Sequence, residues 1–229
     1  MSAKSLPPAR WMFCVWMQNT PPLTAARLMP ALRVLRSADM ASLVRIPGHS
    51  VQHIQSALDS GATGIVVPHV SSRAQAEFLA QACHFGPGGR GFSGSTRAAG
   101  FGQVPMAEHQ RLSSEQTTLI AQIEDIEGVE LAAEIAAVEN IDALFIGRID
   151  LTVALQQADS NAAAVIGAVE RICAAGVSSG AAIGMFFSDM SEQPRWRRAG
   201  ASLFLLESDQ SFLRQGAVGL RERFASRAS

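Results

Sequence analysis

The chain has 229 residues, 48% of them hydrophobic and 17% charged, which is the composition of a globular protein with a sizeable core. Its formal net charge of -1 gives no electrostatic attraction to nucleic acid or to an anionic membrane surface, so neither is expected as a partner. Because Lys4 is the only lysine, Schiff-base, pyridoxal and Walker-type nucleotide chemistry are excluded from the body of the fold.

Short apolar runs alternate with longer amphipathic segments from the first strand onward. Strands are predicted at residues 11–17, 42–46, 64–68, 118–123, 143–147, 182–187 and 202–206. Helices are predicted at residues 23–36, 51–60, 73–83, 128–138, 161–175 and 192–199, with Gly61, Gly176 and Gly200 at helix ends. Nearly continuous apolar strands are typical of a parallel sheet that is buried on both faces. The pattern therefore predicts βα units in a single domain that spans residues 1–229.

Polar residues at the strand ends favour a barrel over an open, doubly wound sheet. No GxGxxG segment follows the first strand, so the usual dinucleotide fingerprint is missing. Instead, polar residues follow the C-terminal ends of several strands, where a (β/α) barrel builds its active site. These residues are Arg45, His69, Glu124, Asp150 and Ser208. We predict a TIM-type (β/α) barrel, although the pattern yields seven strands and a complete barrel has eight.

The run at residues 11–17 is too short to span a bilayer, and no small-residue cleavage site follows it. We interpret it as a strand. Cys14, Cys83 and Cys173 lack CxxC spacing, which predicts neither a disulfide framework nor a zinc site. We therefore expect a cytoplasmic protein without membrane association.

Two carboxylates at the ends of neighbouring strands are the strongest candidates for a metal site. Glu124 directly follows the fourth predicted strand and Asp150 lies just after the fifth. Adjacent parallel strands would bring both side chains to the same mouth, and hard oxygen ligands suit Mg²⁺ or Mn²⁺. The alternative is that each carboxylate caps the helix that follows its strand. The residues alone leave both interpretations open.

Arg45, Gln122 and His69 each allow a functional and a structural interpretation. The planar guanidinium of Arg45 could bind a carboxylate or an enolate oxygen, or it could form a salt bridge inside the barrel mouth. Gln122 should point into the same interior as Glu124, where it could donate to a substrate or be satisfied by its neighbours. For His69 we favour a structural hydrogen bond.

The segment 86–102 is rich in glycine and carries Arg90 and Arg97. A long irregular loop in a compact fold is more often functional than idle. Its main-chain N–H groups could surround a phosphate or carboxylate, or the glycines could serve a tight loop between subunits. Both interpretations stay open from the sequence.

Six segments together resemble the HpcH/HpaI aldolase/citrate lyase family. They are LVRIPG at 43–48, GATGIVVPHV at 61–70, FGPGGRGFSGSTRAAGFG at 85–102, AQIEDIEGVE at 121–130, DALFIGRIDL at 142–151 and GMFFSD at 184–189. The similarity runs in order over residues 11–220. AQIE together with FIGxxDL is the specific part, because it places Glu124 and Asp150 as the two metal carboxylates.

The resemblance implies a (β/α)₈ barrel of the phosphoenolpyruvate/pyruvate-domain type and a class II, metal-dependent aldolase that acts on a 2-oxo acid with a pyruvate or oxaloacetate unit. It further implies that Glu124 and Asp150 bind Mg²⁺, or Mn²⁺ or Co²⁺, and that Arg45 stabilises the enolate oxygen. The main chain of Gly147 and Ile149 would receive the substrate carboxylate, with Gln122 nearby. Members often assemble as hexamers, so a homo-oligomer is implied.

The N-terminal part departs from the family pattern. The family carries a D-x-E-H motif whose histidine shuttles protons, and the alignment places Met17, Asn19 and Thr20 at the acid, glutamate and histidine positions. We also expect the family's first βα unit to be missing, which would account for the count of seven strands. Two alternatives to an active lyase therefore stand beside it: a catalytically reduced paralogue that binds a metal and an oxo acid or acts as an assembly partner, and a synthase that condenses an enolate in the manner of the citrate-forming relatives.

Overall fold

A computed structural model describes residues 13–17, 25–187 and 189–226, with side chains from residue 28 onward. The strands in these ranges are β1 Phe13–Met17, β2 Ala41–Arg45, β3 Gly64–Val67, β4 Thr118–Ile123, β5 Ala143–Ile146, β6 Ala182–Phe187 and β7 Leu203–Leu206. The helices are α1 Ala25–Ser37, α2 Val51–Asp59, α3 Arg73–Cys83, α4 Met106–Gln116, α5 Ile126–Glu130, α6 Ala132–Ala136, α7 Arg148–Ala154, α8 Ala163–Ser179, α9 Gln193–Arg198 and α10 Asp209–Ala225. Short 3₁₀ turns occur at Gly100–Gly102 and Met190–Glu192.

The strands pair in the order in which they occur along the chain, and every pairing is parallel. A doubly wound sheet would reverse its strand order at a switch point, whereas a barrel adds each strand to the last. The prediction of an α/β fold is therefore confirmed, and the curled parallel sheet is consistent with a TIM-barrel-like architecture. Within the described residues the sheet has two ends, β1 and β7. The missing first βα unit stays a prediction.

Alternation along the strands creates an outer and an inner apolar layer. Outward-pointing residues such as Ile65, Leu119 and Leu144 are fully buried between the sheet and the helices. Inward-pointing residues form a second, smaller cluster. Its buried members are Leu43, Val66, Ile120, Ala143 and Leu203. Two residues after Leu43 and Ile120, the same inward face presents Arg45 and Gln122, so this cluster is the floor beneath the polar strand ends.

Some helix predictions were wrong. The segment 128–138 is broken at Leu131 into α5 and α6. Gly176 lies inside α8, which ends at Gly180 in the left-handed conformation at φ 80°. The reason is packing: a Cβ on Gly176 would lie 2.5 Å from the Ile183 side chain, so glycine lets α8 approach β6 closely. Helices α4, α7 and α10 were not predicted. No described helix has the length and hydrophobicity needed to cross a membrane.

The glycine-rich segment lies at the N-terminal end of the strands. Arg90 is buried and forms an ion pair with Asp59 at the end of α2, just before β3 begins. The Ala98 N–H donates to the Asp59 carbonyl at 3.2 Å, and Arg97 packs beside Gly61. The segment is thus at the opposite end of the sheet from Glu124. Because Asp59 already neutralises Arg90, the prediction of an anion cradle around this arginine is not supported.

Candidate active site

Glu124 is the centre of a buried polar cluster at the C-terminal end of β4. Its side chain is fully buried, and its Oε1 accepts a hydrogen bond from the main-chain N–H of His69 at 3.0 Å. The same oxygen lies 3.7 Å from Nη2 of Arg45 and 3.4 Å from Nε2 of His69. Its other oxygen accepts from the side-chain amide of Gln122. Glu124 therefore holds neighbouring strands together, and the capping interpretation of this residue is wrong, because none of these bonds goes to the following helix.

Gln122 connects the arginine to the carboxylate. Its Oε1 accepts from Nε of Arg45 at 2.9 Å, while its amide nitrogen donates to Glu124. Both ends of the Gln122 amide are thus bonded to neighbouring side chains, which agrees with the interpretation that this amide is satisfied within the protein. The result is a rigid Arg45–Gln122–Glu124 chain across β2 and β4. Such a chain fixes the direction of the guanidinium relative to the carboxylate.

The electrostatic balance at Glu124 is unfavourable for an isolated carboxylate. Burial raises the pKa of Glu124; His69 acts to lower it, Asp150 to raise it further and Arg45 to lower it, and the net result is a raised pKa. A carboxylate with a raised pKa in a desolvated position gains from a nearby cation. The pKa direction therefore agrees with a site that takes an additional positive charge.

Gly147 directly follows β5, at a position where a side chain would collide with this cluster. A Cβ at this position would lie 2.7 Å from both Cβ and Oε2 of Glu124 and 3.2 Å from Nε2 of Gln122. The Gly147 N–H donates to the Ile123 carbonyl at 3.0 Å, so any ligand carboxylate must be met by N–H groups further along the first turn of α7. Asp150 lies in that same turn, exposed to solvent.

A cavity of about 430 Å³ opens over these residues. Its lining includes most of the residues that the sequence singles out: Arg45, Gln122, Gly147, Ile149 and Asp150. Glu124 lies directly behind them in contact with Gln122. The floor of the cavity is the inner apolar cluster, and the far side of the cavity is formed by β6 and β7. Residues that are up to 105 positions apart in sequence are therefore brought to one concave surface, as a barrel requires.

The contacts of His69 and one ion pair of the cavity lining could not be predicted from the sequence. His69 has a positive φ of 55°, which directs its N–H at Glu124, and its ring Nδ1 lies 3.1 Å from Oδ2 of Asp125. Arg148 and Glu192 line the cavity as an ion pair. The interpretation of His69 as a hydrogen-bonding residue agrees with its contacts, whereas no local signal reveals a pair 44 residues apart. Ser208 caps α10 by accepting from the Ser211 N–H at 3.2 Å, outside this cluster.

The described residues hold no group of three or more His, Cys, Asp or Glu side chains arranged for metal binding. The predicted departures from the D-x-E-H motif at Asn19 and Thr20 lie outside the described residues. The main chain of Met17 is described, and its Cα pairs with that of Arg45.

Comparison with known proteins settles the family. A family model described as HpcH/HpaI aldolase/citrate lyase matches residues 19–215. The chain belongs to this family. A hydroxypyruvate/pyruvate aldolase of Delftia acidovorans is 34% identical over 206 residues, which cover 89% of this chain and 76% of that protein. A 5-keto-4-deoxy-D-glucarate aldolase of Escherichia fergusonii is 31% identical over 205 residues, or 89% of this chain and 79% of that one.

Solved structures of HpcH/HpaI proteins share the same fold. A family member from Burkholderia cenocepacia superposes with a TM-score of 0.86 at 28% identity, covering 99% of this chain and 90% of that one. An HpcH/HpaI aldolase from Desulfitobacterium hafniense gives a TM-score of 0.84 at 26% identity, covering 93% and 83%. This HpcH/HpaI chain thus belongs to a family of aldolase and lyase enzymes and has their architecture.

Proposed function

We propose that this HpcH/HpaI protein is a metal-dependent carbon–carbon lyase of the aldolase type that acts on a 2-oxo acid with a pyruvate or oxaloacetate unit. The observation that carries the proposal is the convergence of Arg45, Gln122, Gly147, Ile149 and Asp150 on one cavity, with Glu124 in contact behind them. Aldolases appear among its relatives at 27–34% identity.

The chemistry of the donor set fits a divalent ion, with Mg²⁺ as our first choice and Mn²⁺ or Co²⁺ as alternatives. Glu124 and Asp150 offer hard carboxylate oxygens from neighbouring elements. The raised pKa of Glu124 indicates a carboxylate in need of a compensating cation. When bound, such an ion would supply Lewis-acid polarisation of the oxo-acid carbonyl.

The protein's own residues orient the substrate and stabilise developing charge. Arg45 faces the cavity, and Gln122 fixes its direction, so its positive charge can balance the oxygen on which the enolate charge develops. The first turn of α7 offers the main-chain N–H groups of Arg148 and Ile149 to the substrate carboxylate. The apolar floor excludes water from the reacting carbon, which strengthens these electrostatic contacts.

The test is release of pyruvate from a 4-hydroxy-2-oxo acid, followed with a coupled dehydrogenase in the presence and absence of Mg²⁺ or Mn²⁺. Glu124→Gln and Asp150→Asn should both abolish stimulation by the metal. Glu134→Gln is the matched control, because this carboxylate is exposed on α6 away from the cavity, and it should retain full activity. Turnover that is independent of metal and unchanged in Glu124→Gln would contradict the proposal.

A second candidate is a catalytically reduced paralogue that binds the metal and an oxo acid without fast turnover. It is favoured by Met17, Asn19 and Thr20, none of which can accept a proton near neutral pH. Loss of a general base costs about 10²–10⁴-fold in rate. Calorimetry separates the two: metal-dependent binding of pyruvate with no release of pyruvate from any 4-hydroxy-2-oxo acid favours the paralogue.

We further propose that the chain forms a homo-oligomer, with a hexamer as one possible assembly. Helix α10 has no buried residue, and Leu213, Leu220 and Phe224 are 62–79% exposed on one helical face. Leu220→Glu should lower the mass measured by light scattering after gel filtration. Gln215→Glu adds the same charge on the opposite face and should not. A wild-type mass equal to that of one chain would contradict the oligomer.

A further inference from the structure

We propose that the part of the cavity beyond the 2-oxo acid takes an aldehyde with an uncharged, apolar tail, and that Glu192 sets this preference by neutralising Arg148. The inference rests on the proposed aldolase function. In aldol addition a bond forms between the methyl carbon of the oxo acid and the aldehyde carbon. The carbonyl π pair becomes an oxygen lone pair, and the proton lost by the methyl group is matched by the proton that the new hydroxyl group gains. The tail of the aldehyde must then be accepted by the remaining lining.

The remaining lining is an apolar wall contributed by three strands. Phe145 from β5, Phe186 from β6 and Leu205 from β7 face the cavity, with Leu203 one step deeper. Phe186 is 43% exposed although it points into a concave surface. An exposed aromatic side chain inside a cavity is apolar area that a ligand can remove from water. An aliphatic or aromatic tail would gain this burial, and a polyhydroxylated one would not.

Arg148 carries a positive charge beside this apolar wall, and that charge is already neutralised. Arg148 forms an ion pair with Glu192 through Nη1, donates to Oδ1 of Asn161 from Nη2 at 2.6 Å, and donates to the Ser160 carbonyl from Nε at 3.0 Å. The Trp196 indole donates to Oε2 of Glu192 at 2.9 Å and holds the carboxylate in place. The guanidinium therefore forms a wall of the cavity without offering net charge to a ligand.

The remaining charges oppose a second carboxylate on the substrate. In the described lining Glu192 is paired with Arg148 and Asp150 would be neutralised by the proposed metal ion, which leaves Asp189 as the uncompensated carboxylate. Asp189 is exposed, and hydrogen bonds from the main-chain N–H and hydroxyl of Ser191 lower its pKa, so it is an anion at neutral pH. A carboxylate tail near β6 would meet Asp189 and the already paired Arg148. An uncharged tail is not repelled by Asp189 and loses no charge hydration that Arg148 would have to replace.

Two aldehydes of matched shape test the proposal. 4-Methylpentanal and 4-oxobutanoate differ in carrying an isopropyl group or a carboxylate at the same distance from the carbonyl. Each is incubated with pyruvate, Mg²⁺ and the full chain, and adduct formation is measured by chromatography. In parallel, exchange of the pyruvate methyl protons in D₂O is followed by NMR, which reports the oxo-acid half of the reaction alone. We expect kcat/KM to favour 4-methylpentanal on the order of tenfold or more.

Two variants test the role of the ion pair. Glu192→Gln keeps an acceptor for the Trp196 indole but leaves Arg148 uncompensated, so the preference should shift toward 4-oxobutanoate by about tenfold. The double variant Arg148→Met with Glu192→Gln removes both charges and should restore the wild-type preference. The ratio of two substrates on one preparation is independent of the fraction of chains that is folded.

The possible outcomes are distinct. Equal or better use of 4-oxobutanoate by the wild type overturns the inference and leaves the aldolase function standing. The same holds for an unchanged ratio in Glu192→Gln, and for methyl-proton exchange without adduct from either aldehyde. If neither exchange nor adduct is seen, the proposed function itself fails, and the inference fails with it.

Discussion

The substitution Gly147→Ala tests whether the absence of a side chain at the end of β5 holds Glu124 in place. The added methyl group would lie 2.7 Å from both Cβ and Oε2 of Glu124, whereas carbon atoms in contact prefer about 3.5–4.0 Å. Glu124 would have to move by roughly 1 Å, and its side chain is fully buried on every side. The backbone conformation at Gly147 is allowed for alanine, because φ is -82°.

Overpacking of this kind costs about 1–3 kcal/mol. For a chain of this size, each kcal/mol corresponds to a change in Tm of about 2–4 °C. We therefore expect Gly147→Ala to lower the free energy of unfolding, measured by urea titration, and to lower Tm in proportion. It should also weaken metal-dependent pyruvate release more than the loss of stability alone explains, since the displaced group is the carboxylate of Glu124.

A matched control is available in the interior of α8. A Cβ on Gly167 meets nothing within 4 Å, so Gly167→Ala should stabilise the protein by about 0.5–1 kcal/mol through helix propensity. If Gly147→Ala were as stable and as active as the wild type, the close approach of Gly147 to Glu124 would be wrong. An equal loss in both variants would instead point to a general sensitivity to added methyl groups.

Three further outcomes are expected. Burial acts to raise the pKa of Glu192, but hydrogen bonds from an indole N–H and from Arg148 outweigh it, so the pKa is lowered. The stability that this provides is present above the unfolded pKa and is lost as pH falls through the folded one, so urea midpoints should fall less in Glu192→Gln than in the wild type between about pH 5 and pH 3; parallel curves would contradict this. Burial raises the pKa of Cys83 to about 12 and that of Cys173 to about 11, so a thiol reagent at neutral pH should label both only after unfolding, as mapped by mass spectrometry. Labelling of either in the native protein would refute their burial. Ser72 accepts a hydrogen bond from a main-chain N–H in the first turn of α3, and Ser72→Ala should cost about 1 kcal/mol in urea unfolding; no loss would mean that the cap is not formed.

The residues of the candidate site could be predicted because the side chains of a β-strand alternate between the two faces of the sheet. Once Ile120 is on the inner face, Gln122 and Glu124 must follow it to the mouth, and Arg45 follows Leu43 in the same way. The contacts between them could not be predicted. His69 reaches Glu124 through a positive φ that no local pattern encodes, and tertiary context decides it.

The helices show the same division between local and tertiary information. Helices with one buried face, such as α2 and α3, follow the apolar periodicity and were found within a residue of their ends. Helix α10 buries none of its residues against the rest of the chain, so its sequence carries no inward stripe to detect. Gly176 was predicted as a helix end, but it lies inside α8. Glycine is needed there because a side chain would collide with Ile183 on the neighbouring strand, and this tertiary contact leaves no local signal.

The separation of Arg90 and Asp59 from the cavity has a consequence for how this protein can change. Their ion pair joins the glycine-rich segment to the rest of the fold at the end of the sheet where the strands begin, while substrate would be met where they finish. The contacts that hold segment 86–102 to the fold and the residues that line the cavity therefore lie at opposite ends of the sheet. A laboratory evolution campaign could first select heat-tolerant substitutions in segment 86–102 and then randomise the residues around Phe186, using the first set to absorb the damage done by the second.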